Sequence, residues 1–126
     1  MAQRNAVGWF DIHVEDMARA ATFYETILEV RLVDMPDPTG ETTMRAFPGT
    51  QDGYGSAGAL VHSAHGRPGP GGTLVYFMVE DCAATEMRVS AAGGTIVRPK
   101  FSIGDFGFVS LCMDTEGNMI GVNSMR

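Results

Sequence analysis

The chain contains the same strand-to-helix corner twice. Val14-Glu15-Asp16 returns, about halfway along the chain, as Val79-Glu80-Asp81. In each copy a run of strand-forming residues ends at the tripeptide, and a run with helical spacing begins after it. Each copy would leave one apolar face open, because neither is large enough to bury it alone. The repeat therefore predicts two modules of the same architecture that share a core.

The first copy predicts a strand, a helix and three further strands. Residues 7–14 alternate as a strand does, and this places Trp9, Asp11 and His13 on one face and Phe10, Ile12 and Val14 on the other. Asp16 is the predicted N-cap of a helix over about 17–29. The predicted buried stripe of this helix consists of Met17, Ala20, Ala21, Tyr24, Ile27 and Leu28, with Phe23 at its edge. Strands are predicted at about 30–35, 42–47 and 57–62, with a turn at 36–40.

The second copy repeats this order. A strand over 74–79 precedes a helix that Asp81 caps and that ends at Gly93-Gly94. Strands follow at 95–97, 108–113 and 119–123, with a turn at 116–118. The Gly/Pro segment His65–Gly72 separates the copies, because eight residues of turn chemistry do not belong in a helix or a central strand. We therefore predict an α+β fold in one domain, residues 1–126, with module one at about 6–65, a linker at about 66–72 and module two at about 73–126.

Composition narrows the function classes. The apolar content of 44% suffices for a core, and the net charge is −6 without a Lys/Arg cluster. A basic footprint for nucleic acid or for an anionic membrane surface is absent, so neither is an expected partner. No apolar run reaches the length of a bilayer span, and the first residues do not resemble a signal peptide. Cys82 and Cys112 are the only cysteines and lie in apolar neighbourhoods. We expect two reduced, buried thiols in a cytoplasmic protein.

Several motifs, in order and at the right spacing, resemble one family. Trp9-Phe10-Asp11-Ile12-x-Val14-x-Asp16-Met17-x-Arg19-Ala20-x-x-Phe23-Tyr24 resembles the first module of the vicinal oxygen chelate superfamily. Phe77-x-Val79-x-Asp81, the Ala91–Gly94 helix end, and Asp114-Thr115-Glu116-Gly117-Asn118 resemble its second corner, second helix end and closing hairpin. That superfamily holds glyoxalase I, bleomycin-resistance proteins and extradiol dioxygenases. The resemblance implies two tandem βαβββ modules whose mixed sheets curl into a concave cleft, and it implies a homodimer. It says less about function, since one fold hosts many chemistries.

The resemblance also implies where a metal would lie. Catalytic members hold a divalent metal with His, Gln or Glu side chains on inward-facing strand positions. Carried over one by one, these positions fall on Trp9, Leu74, Gly121 and about Ala59. None of these side chains offers a lone pair to a metal ion. We therefore expect no metal and no cofactor. His13, His62 and His65 lack ligand spacing and are expected at the surface, although an atypical metal site that includes them stays open.

The same positions predict an aromatic, methionine-bearing cleft. The expected ligand-binding residues are Trp9, Phe47, Leu74, Tyr76, Met78, Phe101, Phe108, Met119 and Gly121. Such surfaces suit flat or apolar ligands, although these side chains would also serve as filled core. Asp11 is the one acid that this pattern directs into the cleft. Burial beside Trp9 would disfavour its charged form, which suits a general base. The alternative interpretation is structural: Asp11 would accept a hydrogen bond from Tyr76 or from a backbone N–H and so connect two strands.

Two functions follow. The first is a small-molecule-binding protein without the family's metal ligands, which sequesters an aromatic or amphiphilic ligand. The alternative is a glyoxalase-like lyase or isomerase, or a dioxygenase-type enzyme. That enzyme would be metal-free with Asp11 as base, or it would use metal ligands outside the pattern. The missing metal ligands favour the first. The sequence does not identify the ligand.

Overall fold

The computed structural model describes residue 5 and residues 7–50, 52–64 and 66–126. The described elements run in the order strand, helix, three strands, and then the same order again. The first set is β1 (Asp11–His13), α1 (Met17–Leu28), β2 (Val33–Met35), β3 (Thr42–Ala46) and β4 (Ala59–Ser63). The second set is β5 (Val75–Met78), α2 (Cys82–Ala91), β6 (Thr95–Ser102), β7 (Phe108–Met113) and β8 (Met119–Ser124), with a 3-10 turn at Gly104–Phe106 before β7. The predicted pair of βαβββ modules is confirmed.

Each module forms its own four-stranded mixed sheet. The strand orders are β1-β4-β3-β2 in the first sheet and β5-β8-β7-β6 in the second. The outer pairs β1–β4 and β5–β8 are parallel, and all other pairs are antiparallel. Asp11 lies opposite Ala59, and Tyr76 lies opposite Gly121. The two sheets are thus equivalent down to the register, with Ala59 in the place that Gly121 has in the second sheet.

The helices pack on one face of the sheets and share a core. Buried side chains from both modules meet there, among them Tyr24, Ile27, Leu60, Cys112 and Ile120. Burial of this continuous apolar surface is the main driving force for joining the modules. Both predicted N-caps are confirmed. Asp16 accepts a hydrogen bond from the backbone N–H of Arg19, and Asp81 accepts one from Ala83.

Phe23 lies deeper than the helix pattern predicts. It is only 1% exposed and stacks edge-on against Tyr24 at 5.0 Å between ring centroids. The position of a Cβ on Gly94 would lie 2.7 Å from the Phe23 ring. The glycine after α2 therefore gives Phe23 room between the modules, and a helical stripe read from one module does not include that contact.

The hairpin between β7 and β8 fastens the modules to each other. Asp114 accepts a hydrogen bond from the hydroxyl of Tyr24 at 2.6 Å. Asn118 donates to Asp114 and to the backbone carbonyl of His13. Burial, together with the charge and hydrogen bond of Asp114, raises the pKa of Tyr24 well above 10. Tyr24 is therefore a neutral hydrogen-bond donor inside the core.

Several boundaries differ from prediction for local reasons. β1 is shorter than residues 7–14, although backbone bonds to β4 continue at Phe10 and Val14. β2 starts only at Val33, because the N–H of Leu32 is bonded to the side chain of Glu25. β6 is much longer than residues 95–97 and contains register shifts against β7. The only β-pairing of the described linker residues is an isolated bridge between Gly66 and Ser63 of β4.

The predicted burial of both cysteines is confirmed. Cys82 and Cys112 are both buried and form no disulfide. Burial, followed by the nearby charge of Glu86, raises the pKa of Cys112 to about 11. A thiol with so high a pKa is protonated and unreactive at neutral pH.

Candidate ligand-binding face

The face of the second sheet that points away from α2 is its open face. The strand register arranges its side chains in two rows across the four strands. The rows are Tyr76–Gly121–Leu111–Arg98 and Met78–Asn123–Val109–Phe101. Alternate residues of a strand lie on opposite faces, so Ser110, Cys112 and Val122 face α2 instead. The open face is therefore apolar over most of its width and carries Arg98 on its outer strand.

Tyr76 is the central side chain of the open face. Its ring lies across Gly121, where a Cβ would approach the ring atoms to 2.4 Å. Glycine is thus required at position 121 as long as the ring keeps this position. Tyr76 is nevertheless 48% exposed, and Met78 beside it is exposed as well. An exposed ring over a backbone with no side chain forms a flat apolar platform.

Two depressions meet at Tyr76. One, of about 320 Å³, lies on the open face and is lined by Tyr76, Phe101, Ile103, Val109 and Asn123. The other, of about 250 Å³, lies between β5 and the β3–β4 loop. The second depression has the rings of Phe10, Phe47 and Phe77 among its lining residues, and Tyr54 and Met78 contribute to it as well. Tyr76 is shared by both, so the two form neighbouring parts of one apolar region.

The predicted ligand-binding residues do not all reach this region. Tyr76, Met78, Phe101 and Gly121 come together on the open face. Met119 is on the same face of β8, one pair nearer the hairpin, and Leu74 is half-buried just before β5. Phe108 is on the opposite face, with Ser110 and Cys112, and Lys100 lies over its ring. Phe47 is in the core and only borders the depression beside the β3–β4 loop.

Trp9 and Asp11 form a pair at the first sheet. The indole N–H of Trp9 donates to the Asp11 carboxylate at 3.0 Å, and both residues are exposed. The predicted burial of Asp11 is wrong, because Asp11 is exposed at the start of β1 and its Trp9 neighbour is exposed as well. The hydrogen bond to Tyr76 that we considered is not formed, since the partner of Asp11 is Trp9. The burial on which a catalytic role for Asp11 was based is therefore not observed.

The four positions at which the family would hold a metal do not fit one. The Trp9 indole is a donor already bonded to Asp11, Leu74 is a hydrocarbon, and Gly121 is covered by the Tyr76 ring. Ala59, equivalent to Gly121 by register, carries only a buried methyl group. Within the described residues, no three His, Cys, Asp or Glu side chains are grouped so that they could hold a metal ion.

Of the three histidines, His13 differs from expectation and His62 agrees with it. His13 is half-buried rather than solvated, because Gly66 of the linker packs directly against its ring. Its Nδ1 is buried and has no hydrogen-bond partner. His62 is exposed, and its Nδ1 lies 3.0 Å from the carbonyl oxygen of Val14. His65 lies outside the described residues.

Sequence reasoning missed several contributors to the apolar region, among them Ile103 and Val109. Phe10 was placed on the face of Ile12 and Val14 and Phe77 on no face, although both border the depression beside the β3–β4 loop. Tyr54 belongs to the β3–β4 loop, and loops carry no periodicity that would place them. Asn123 and Arg98 face the open side through the pairing of β6, β7 and β8. Alternation along the closing strand could have revealed Asn123, whereas the position of Arg98 depends on a bulge.

Comparison with known proteins assigns the family. A family model described as the Glyoxalase/Bleomycin resistance protein/Dioxygenase superfamily matches residues 6–122. The chain belongs to this superfamily. The match runs through both corners and into the closing hairpin strand, the segments on which the resemblance was based. The glyoxalase-like fold and the two-module architecture are thus supported by independent observations.

Relatives of this glyoxalase-superfamily chain differ in size and name. Two relatives, CFP32 of Mycobacterium tuberculosis and CFP32 of Mycobacterium bovis, are both provisionally named glyoxylases. Each is 29% identical to this chain over 116 residues. The match covers 90% of this chain but only 43% of theirs, so the chain spans less than half the length of these curated relatives.

Solved structures show the same fold at low identity. TnmS3, an antibiotic-binding protein from Streptomyces sp. CB03234, is 23% identical with a TM-score of 0.71, and the match covers 98% of both chains. A glyoxalase I mutant from Zea mays is 18% identical with a TM-score of 0.70, over 94% of this chain and 45% of that one. Among the described residues, no helix is long and apolar enough to cross a membrane.

Proposed function

We propose that this protein binds a small aromatic or amphiphilic molecule on the open face of the second sheet, around Tyr76. The observation that carries the proposal is the meeting of two apolar depressions at one half-exposed tyrosine ring. Their volumes, about 250 and 320 Å³, are near the lower end of the range for ligand pockets. The region therefore suits a molecule of one to three rings.

The side chains around Tyr76 favour recognition by shape and stacking. Phe101 and Met78 lie in the neighbouring row, and Gly121 leaves the Tyr76 ring flat against the sheet. Aromatic rings gain about 0.5–1.5 kcal/mol from stacking beyond their area burial. Methionine adapts to ligands of different outline. The existence of an antibiotic-binding protein with the same fold is consistent with such a role.

We further propose that the protein acts as a homodimer. Large apolar side chains remain exposed on the open faces of both sheets, including Val33 and Met35 on the first and Met78 on the second. Surfaces of this kind are commonly covered by a partner, and a two-fold contact is the commonest arrangement. A second copy would enclose the ligand and reduce its contact with water. We also propose a cytoplasmic location without a nucleic-acid or membrane partner, because the net charge is −6 and the sequence has no Lys/Arg cluster.

An enzymatic role has less support from the geometry. Asp11 is exposed and bonded to an indole, and the family's metal positions hold no donor that could bind a metal. One acid without a partner base or an oxyanion-stabilising group is an incomplete catalytic site.

The test uses N-phenyl-1-naphthylamine, an uncharged aromatic probe that fluoresces when bound in apolar surroundings. We expect saturable binding by the native protein. Tyr76→Ala should weaken it by about 5- to 30-fold, since a stacking side chain is worth about 1–2 kcal/mol. Met87→Ala is the control, because Met87 is 76% exposed on α2, away from the open face. Equal affinity of the Tyr76→Ala variant and the native protein would contradict the proposed site.

Two further readouts accompany this titration. Trp9 is the only tryptophan of the sequence, so quenching of its emission reports whether the ligand also reaches the first sheet. Thermal unfolding is repeated with Zn²⁺, Ni²⁺, Mn²⁺ and Fe²⁺. A metal that binds the folded state would raise Tm. We expect no rise, because the family's metal positions offer no metal ligand. Stoichiometric metal that a chelator removes with loss of stability would show that the chain has ligands outside the family positions.

A further inference from the structure

We propose that the molecule bound on the open face carries an anionic oxygen group, and that Arg98 binds this group. The inference rests on the proposed function and adds the chemical class of the ligand. It starts from the position of Arg98, at the far end of the row that begins with Tyr76.

A bulge in β6 places Arg98 on the open face. Ile96 pairs with Cys112, which faces α2, and regular pairing would bring residue 98 opposite Ser110 on that same face. The register shifts between Ile96 and Arg98, so Arg98 lies opposite Leu111 instead. Bulges commonly re-aim a side chain in this way beside a functional site. The chain thus departs from regular pairing at the point where it presents a cation to the apolar region.

Arg98 lacks the acidic partner that most cations of this protein have. All fifteen Asp and Glu residues lie in the described parts of the chain. Carboxylates lie within 4.0 Å of Arg19, Arg45, Arg67, Arg88, Lys100 and Arg126. Among the described Lys and Arg residues, only Arg98 and Arg31 have no carboxylate within this distance. In a protein of net charge −6, an arginine without a carboxylate in contact has its hydrogen-bonding edge available to an outside anion.

The guanidinium is held in place by an aromatic ring. Its central carbon lies 3.5 Å from the ring centroid of Phe101. Stacking fixes the plane of the group and leaves its N–H edges free to donate. Phe101 also lines the depression of about 320 Å³ that Tyr76 borders. A fixed cation therefore stands at the edge of an apolar surface, an arrangement that fits a ligand with an aromatic body and one anionic end.

The width of the sheet sets the length of that ligand. Tyr76 and Arg98 are separated by three strand spacings, about 14 Å between their Cα atoms. Between them lie Gly121 and Leu111, which present little that is polar. A two- or three-ring body that stacks on Tyr76 reaches the Arg98 guanidinium with a carboxylate, sulfonate or phosphate at its end.

Two probes of nearly the same shape test the inference. 8-Anilinonaphthalene-1-sulfonate is N-phenyl-1-naphthylamine with one added sulfonate, so their affinities differ chiefly through the charge. We expect the native protein to bind the sulfonate about tenfold more tightly, as a charge-assisted hydrogen bond provides. Arg98→Gln should abolish this preference and leave the affinity for the neutral probe within about twofold. Arg31→Gln is the matched control and should retain the preference. Raising the salt concentration should reduce the preference in the native protein.

The outcomes separate the two proposals. If the neutral probe does not bind to the native protein, the proposed function fails. If it binds and is sensitive to Tyr76→Ala, but the sulfonate is no tighter or Arg98→Gln keeps the preference, only the anion inference is overturned. If Arg98→Gln weakens both probes equally and light scattering shows a change in mass, Arg98 belongs to an interface between copies, and the inference is again overturned.

Discussion

At the scale of single residues, Glu116 joins the two modules through its buried carboxylate. Its carboxylate accepts hydrogen bonds from the backbone N–H groups of Glu15 and Asp16 and two from the Arg19 guanidinium. Burial by itself would raise the pKa of Glu116, but the hydrogen bonds from Arg19, Asp16, Thr115 and Glu15 outweigh it and lower the pKa to about 2. The carboxylate thus holds the closing hairpin against the start of α1.

This arrangement predicts a pH-dependent stability. The ordinary pKa of a glutamate is 4.5, so the contribution of Glu116 is fully present above about pH 5 and is lost as the pH falls toward 2. We expect Glu116→Gln to lower the free energy of unfolding by about 2–3 kcal/mol at pH 7. The difference from the native protein should shrink as the pH approaches 2. Urea denaturation at a series of pH values measures both.

The control for this prediction is Glu80→Gln. Glu80 is exposed, and its ion pair with Arg126 is long, at 4.0 Å, so it should add little to stability. The substitution should change stability by less than about 0.5 kcal/mol. A Glu116→Gln variant as stable as the Glu80→Gln variant at pH 7 would show that the hydrogen bonds of Glu116 add nothing to folding.

Single residues also show how far the sequence reaches. Helical spacing predicted the burial of Tyr24 and Ile27, because both face the sheet of their own module. It underestimated Phe23, whose burial comes from the other module through Gly94. Strand alternation could not place Phe108, because both faces of β7 are similarly apolar and alternation does not reveal which one meets the helix. The sequence also predicted His13 at the surface, since nothing near it in the sequence indicates that Gly66 packs against its ring.

At the scale of elements, the helices and strands were more predictable than their register. Capping residues and glycines mark the ends of α1 and α2, and these signals are local. The length of β6 and its bulges are set by pairing with β7, which is a non-local interaction. Arg98 lies on the open face because of a bulge, so strand alternation could not predict its place in the candidate site. The residues that alternation could place, Tyr76 and Met78, were placed correctly on one face.

The junction after α2 gives an element-scale prediction. A Cβ on Gly94 would lie 2.7 Å from the backbone carbonyl oxygen of Met113 and 2.8 Å from Val89. A backbone atom cannot move aside cheaply, so Gly94→Ala should lower the free energy of unfolding by about 1–3 kcal/mol. Gly69→Ala is the matched control, since nothing lies within 4 Å of the added Cβ there. It should change stability by about 0.5 kcal/mol or less. Chemical denaturation that gave equal stabilities would show that the helix end has room to relax.

At the scale of the whole molecule, the two modules differ in what they leave exposed. The core on the helix side joins them, while the opposite faces keep large apolar side chains in contact with water. The first sheet has Val33 and Met35 there, together with the acid Asp11, and the second has Tyr76 and Met78 with the cation Arg98. These faces are neither buried by the chain itself nor polar enough to be plain surface. The ligand and the second copy of the chain that we propose would together cover both faces.

The last prediction concerns this second copy. We expect light scattering to give twice the chain mass of 13.5 kDa at micromolar concentrations. Val33, 59% exposed on the open face of the first sheet, should lie in the contact. Val33→Glu would bury an unpaired charge and should weaken dimerisation at least about tenfold. Met87→Glu introduces the same charge on α2 and should leave the mass unchanged. A native monomer over this range, or equal effects of the two variants, would show that the exposed faces serve the ligand alone.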